Sequence, residues 1–202
     1  MSYEIVSQVE NIFIKQEQWE SFLDIYNQKN LIRDTWWRKF LSEMNKSVKS
    51  VKDWGYSANN HFDYHWYINE FGMNSFCLIA TNYYDKFSGE KFSLGFWASQ
   101  YKHNIKTLSE LLQKEEYGEP IKAKFDKLIF TGNEATEWKY IENFVFNGAK
   151  ENEILDTDRL SWYANYETSK LVSQVIAKVD KFREDEEITR ILAELNRETM
   201  IK

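Results

Sequence analysis

Three side chains able to bind a metal stand at alternate positions in the stretch His61-x-Asp63-x-His65. Alternate residues of a strand share one face, spaced by roughly 7 Å. Imidazole and carboxylate are ligands for zinc and for harder cations. Two of the three could converge on one ion, and all three only if the strand curves. His103, the remaining histidine, follows the later strands and could approach from the sheet edge. No fixed-spacing signature of the HExxH kind accompanies them. The plainer reading, which the spacing favours, makes them the polar face of a half-buried strand, and no cofactor is expected.

The other routes to chemistry are weaker. Cys77 is the single cysteine and lies between Phe76 and Leu78. A thiol in such an apolar stretch packs as a small hydrophobe and resists ionisation. With one cysteine no internal disulfide is possible, which suits a reducing, cytoplasmic setting. No GxSxG elbow is present, and the seven glycines are too scattered to build a phosphate loop. Asp126 with Lys127, or Glu90 with Lys91, offers the acid and base of a metal nuclease, but at no diagnostic spacing.

A basic stretch carries the most distinctive charge. Residues 29–52 hold Lys29, Arg33, Arg38, Lys39, Lys46, Lys49 and Lys52 against Asp34 and Glu43, a local balance of +5 in a chain of net charge −6. Trp36, Trp37 and Trp54 are interleaved with it or border it. Bases beside aromatics can hold nucleic acid through phosphate contacts and base stacking. The bland alternative is the solvated face of an amphipathic helix whose tryptophans enter the core.

The elements that must position these residues follow from periodicity. Trp19, Phe22, Leu23 and Tyr26 repeat as one helical face, and a second helix runs from Asn30, a potential N-cap, toward Val51. After Gly55 the period becomes two. Phe62, Tyr64, Trp66 and Ile68 alternate with polar residues, Ser75–Tyr84 is apolar on both faces, and Phe92, Leu94 and Phe96 alternate again. Residues 61–98 therefore read as a three-stranded meander. Asn104 caps a short helix that ends by Gly118 and Pro120, strand returns over 121–130, and 136–146 leans toward strand. From Asp156 onward the chain is helical, ending in an amphipathic helix over 186–200 that could mediate a homodimer. The expected fold is α+β: a mostly antiparallel sheet flanked by N-terminal and C-terminal helices, in one domain spanning 1–202. No stretch is long and apolar enough to span a membrane.

Phe, Trp and Tyr make up 17% of the chain, more than a core of this size obviously needs, and aromatics are common anchors at interfaces. The expected function is a non-enzymatic protein-binding module that blocks a partner surface, as an immunity protein, an antitoxin or a phage inhibitor does. Its contact residues would be Trp36, Trp37, Trp54 and Trp138. The alternative is a nucleic-acid-binding or metal-dependent nucleic-acid-processing protein, with Arg38, Lys39, Lys46, Lys49 and Lys52 on the phosphates and His61, Asp63 and His65 on the ion. Lys outnumbers Arg 20 to 6 and Asn and Ile are frequent, a bias that points to a low-GC bacterial or phage genome.

Overall fold

The computed structural model describes residues 12–60, 63–85, 89–127, 129–130, 137–148 and 154–201. Two helices open it, α1 (Gln16–Asn27) and α2 (Lys29–Ser47). Four strands follow: β1 (Trp54–Asn60), β2 (Asp63–Ile68), β3 (Cys77–Asp85) and β4 (Gly89–Ser99). Helices α3 (Ile105–Leu112) and α4 (Glu115–Lys122) lead to β5 (Ile129–Phe130) and β6 (Glu137–Asn143). Helices α5 (Thr157–Tyr166), α6 (Thr168–Arg183) and α7 (Glu186–Thr199) complete it. The strands form one antiparallel sheet in the order β1-β2-β3-β4-β6-β5. The architecture is thus α+β, with helices at both ends of the chain packed on a sheet.

Alternation decides which side of the sheet is the core. In β2, Tyr64, Trp66 and Ile68 are buried while Asp63, His65 and Tyr67 are half-buried. The register then stacks Tyr64 beside Ala80 and Leu94, and Trp66 beside Leu78 and Phe96. Helix α2 places Trp37, Phe40 and Met44 on this surface, spaced i, i+3 and i+7 so that they share one stripe. The rings interlock edge to face: Phe40 on Tyr64 at 5.6 Å, and Phe182 of α6 on Phe96 at 5.5 Å between centroids. Strand β3 is buried on both faces, as its composition predicts; Cys77, Ile79 and Thr81 lie opposite Leu78 and Ala80.

Several boundaries differ from the sequence reading. The meander has four strands, because β1, which contains Gly55, precedes the three expected over 61–98. The Tyr67 ring sits over Gly55, where a β-carbon would come within 2.4 Å of it. Asn30 is inside α2, which continues from α1 with only Gln28 between them. The expected strand over 121–130 is confined to Ile129–Phe130; its first residues end helix α4. The helical spacing of Tyr117, Gly118 and Ile121, rather than an alternation, meets the core. Gly118 is needed there because a β-carbon would stand 2.2 Å from the Leu112 carbonyl oxygen. The leaning toward strand at 136–146 is met by β6, which inserts between β4 and β5.

Two caps read from sequence recur: Asn104 accepts from the Thr107 amide and Asp156 from Arg159. The structure adds Asp185, which accepts from Glu187 and Ile188. Helix α7 buries Ile188, Ile191, Leu192 and Leu195 within its own chain, so the stripe proposed for a homodimer is already covered. No helix among the described residues is long and apolar enough to cross a membrane.

The chain's end is pinned at His103. Its Nδ1 lies 2.8 Å from Thr199 Oγ1, while the Asn104 amide donates to the Thr199 carbonyl and the Ile201 amide to the Lys102 carbonyl. Burial lowers the His103 pKa from 6.5 to about 4, because the charged imidazolium would lose its hydration. The unfolded chain therefore takes up this proton first as pH falls. The stabilisation is complete above about 6.5 and is lost progressively toward about 4. Urea midpoints recorded across that window should fall with pH, and His103→Gln should flatten the slope; an unchanged slope would contradict the assignment.

Candidate docking site

The residues singled out from sequence are distributed among separate places. His61 lies outside the described residues. Asp63 and His65 share the face of β2 opposite Tyr64 and Trp66, as alternation requires, yet each engages a different neighbour. Asp63 Oδ1 accepts from Thr81 Oγ1 at 2.5 Å. His65 Nδ1 is 3.6 Å from Cys77 Sγ, and its ring meets Trp97 edge-on at 5.8 Å. Desolvation lowers the His65 pKa, against the attraction of Asp63 and with the help of Lys139. Cys77 is fully buried, and burial pushes its thiol far up, so thiolate chemistry is suppressed. Among the described residues no three His, Cys, Asp or Glu side chains group closely enough to hold a metal.

The nuclease-type pair Asp126–Lys127 has a structural occupation. Both backbone amides donate to the Glu142 carboxylate, at 2.8 and 3.0 Å, and Lys178 binds its other oxygen. Glu90 is bonded by Arg33 at 3.1 Å.

The four tryptophans divide. Trp37 is fully buried, and Trp54 is buried with its indole donating to Thr189 Oγ1 at 3.1 Å. Both belong to the core, which corrects their expected place at a contact surface. Trp138 pairs with Ala98 in the sheet ladder; its side chain lies outside the described part. Of the three whose side chains are described, only Trp36 is half-exposed, one residue and so about 100° around the helix from Trp37. The bases Arg38, Lys39, Lys46, Lys49 and Lys52 are all exposed. Lys46 stands 3.8 Å from Glu43, and the other four make no ion pair with a described residue.

The surface that the sequence reading missed surrounds Trp36. Helix α1 buries none of its residues, although Trp19, Phe22, Leu23 and Tyr26 form the helical face that suggested a core element. Ile25 and Tyr26 are each 62% exposed, and Ile12, Ile14, Trp19, Phe22, Leu23 and Leu31 are exposed as well. The rings associate along α1: Phe13 with Trp19 and Phe22, and Phe22 with Tyr26, at 4.9–6.0 Å. Across from them Trp36 meets Tyr166 at 5.9 Å, and Tyr166 packs on Trp162 at 5.0 Å.

Where α1, α2 and α5 meet runs a trough of about 270 Å³, lined by Phe22, Ile25, Tyr26, Ile32 and Trp36 with Lys29, Arg33, Asp158 and Ser161 at its polar edge. The edge charges are mutually satisfied. Lys29 pairs with Asp158, and Arg33 reaches Asp158 at 3.5 Å and Glu90 at 3.1 Å. Contiguous apolar surface with a polar rim is the usual form of an interaction site.

A larger cleft of about 570 Å³ opens between α7 and the ends of β1 and β2. Its charges are balanced and largely self-paired, with Arg197 on Glu70 at 3.0 Å, Arg190 on Glu194 at 2.9 Å, and Arg183 donating to the Lys49 carbonyl at 2.6 Å.

No protein-family model, no curated protein and no solved structure matches the chain. The functional reading therefore rests on this geometry.

Proposed function

We propose that this chain is a non-enzymatic protein-binding module whose contact surface is the trough between α1, α2 and α5. The observation that carries this reading is the apolar face of α1, which no described residue of the chain buries. Exposed Trp, Tyr and Ile around a concave centre are the residues and shape that anchor protein interfaces. A small acidic module bound this way acts by covering a partner's surface, which is how an immunity protein, an antitoxin or a phage inhibitor works.

The test is affinity purification from the source cell at physiological salt, with the unaltered chain and with Ile25→Asp. A partner in stoichiometric amount is expected with the first and not with the second. Losing a central anchor costs about 2 kcal/mol or more, a weakening on the order of 30-fold. Ile25 is exposed, so urea stability should move by no more than about 0.5 kcal/mol. Equal recovery of the partner by both proteins would refute the site.

The five exposed bases of α2 and its C-terminal extension favour a second reading, nucleic-acid binding. The neighbouring Trp37 and Trp54 are buried, so they offer no platform for base stacking, and phosphate contacts would carry the affinity. Binding should then weaken steeply with salt and drop when Lys46, Lys49 and Lys52 become Glu. A flat titration at low salt would remove this reading.

A further inference from the structure

We propose that the exposed ridge of α2 lies along a DNA duplex and holds it through the phosphates of both strands. This rests on the second reading above and names the form of nucleic acid. The first observation is the arrangement of the bases. Arg38, Lys39, Ser42, Asn45 and Lys46 are all exposed, at the i, i+1, i+4, i+7 and i+8 positions that share one helix face. Trp37, Phe40 and Met44 anchor the other side of the helix in the core. Lys49 follows the end of α2 and lines a small pocket together with Asn45, so it continues the ridge. Lys52 does not, because it lines the cleft shared with Asp53, Glu184 and Glu186.

The bases form two groups, Arg38 with Lys39 and Lys46 with Lys49. About 10 Å of helix axis separates Lys39 from Lys46, and the major groove of DNA is about 12 Å wide. The two groups therefore reach the phosphate rows on both sides of the groove at once. Ser42 and Asn45, small and polar, then stand over the groove between them. The Tyr56 hydroxyl donates to Asn45 Oδ1 at 2.9 Å, which leaves the Asn45 Nδ2 as a donor. A single strand has no second phosphate row at a fixed distance. The ridge is positive in a chain of net charge −6, so the attraction is local, within a Debye length of about 10 Å. Of its four bases only Lys46 has a described carboxylate within ion-pair distance, Glu43 at 3.8 Å.

The second observation is the absence of apolar and aromatic groups from the ridge. Trp37 and Trp54 are buried, and Trp36 turns its ring to Tyr166. No described ring is left on the ridge to stack on an unpaired base, the usual anchor of a single strand. No exposed apolar side chain stands there to enter a bilayer or to centre a protein interface.

Fluorescence anisotropy compares a short labelled DNA duplex with one of its single strands and with an RNA duplex. The DNA duplex is expected to bind at least about fivefold more tightly than either, with log K falling against log salt at a slope of about −3. Arg38→Gln with Lys39→Gln, or Lys46→Gln with Lys49→Gln, should each roughly halve that slope and weaken binding about tenfold at low salt. Lys52→Gln should change neither. All five side chains are exposed, and unchanged urea midpoints would confirm that the variants fold. Ile25→Asp should leave duplex binding intact, so the ridge and the trough are tested separately.

Equal or tighter binding of the single strand would overturn the duplex and leave nucleic-acid binding standing. Equal or tighter binding of the RNA duplex would overturn the fit to the DNA major groove. A flat titration would overturn both the duplex and the second reading. A loss in Lys52→Gln as large as in either pair, or equal binding of poly-glutamate or anionic vesicles, would overturn the ridge, because any polyanion would then serve.

Discussion

Trp37→Ala is expected to cost about 3–5 kcal/mol of folding stability, and Trp36→Ala about 1 kcal/mol. The two residues are neighbours in one helix and identical in chemistry, so the difference measures position alone. Trp37 is fully buried, its ring 5.2 Å from Phe40 and 5.3 Å from Phe92. Truncation removes its transfer free energy and leaves a void that Phe40, Phe92 and Tyr64 cannot fill without leaving their edge-to-face contacts. Trp36 is half-exposed and loses chiefly its contact with Tyr166. Urea unfolding with both variants checks this, the slopes of the transitions being compared as well as the midpoints. Binding should show the opposite order, because Trp36 lines the trough and Trp37 does not. Equal destabilisation by both substitutions would refute the packing described.

Asn196→Ala should cost about 3 kcal/mol or more, although only one amide group is removed. Asn196 is fully buried in α7 and clamps the backbone just before β3. Its Oδ1 accepts from the Phe76 amide at 2.8 Å, and its Nδ2 donates to the Phe76 carbonyl at 3.0 Å and the Leu192 carbonyl at 2.8 Å. Alanine would remove these bonds from both polar groups of Phe76, away from water. Each such group costs about 1–3 kcal/mol. Asn196→Leu restores most of the lost volume and should be no better, which distinguishes lost hydrogen bonds from a cavity. Asn196→Asp keeps the acceptor but sets a carboxylate against two carbonyls, so its stability should fall further as pH rises. Hydrogen exchange at the Phe76 amide is the most direct readout and should accelerate in all three variants. A leucine variant as stable as the original protein would disprove the clamp.

These expectations show how unevenly the sequence speaks about the structure. Tyr64, Trp66 and Ile68 alternate so regularly that their face of β2 is legible before any coordinates, as is the opposite face with Asp63 and His65. The two-sided composition of β3 marks a central strand. Asn104 and Asp156 announce their helices because a capping side chain needs only its own next three residues. The apolar stripe of α7 is equally local. The strand around Gly55 and the helix α4 are not legible in the sequence for a related reason. A glycine or a proline signals an unusual backbone, but whether a ring lies over it or a neighbouring helix presses on it depends on residues far along the chain.

The candidate site was half legible. The aromatic surplus and its concentration near Trp36 stand in the sequence, and so does the helical spacing of Trp19, Phe22, Leu23 and Tyr26. Periodicity declares that a face is apolar; it does not declare what covers it. For α7 the helices α3, α4 and α6 and strand β2 cover it, and for α1 no described residue does. The same limit explains Trp36 and Trp37, whose fates were set by the way α2 lies on the sheet. What the sequence determined by itself was the local part: element types, caps, the alternation of β2 and the absence of a recognisable catalytic motif. The tertiary structure alone decided which apolar faces meet each other, the insertion of β6 between β4 and β5, and the trough that α1 leaves open. Those depend on long-range packing, and no window of neighbouring residues contains it.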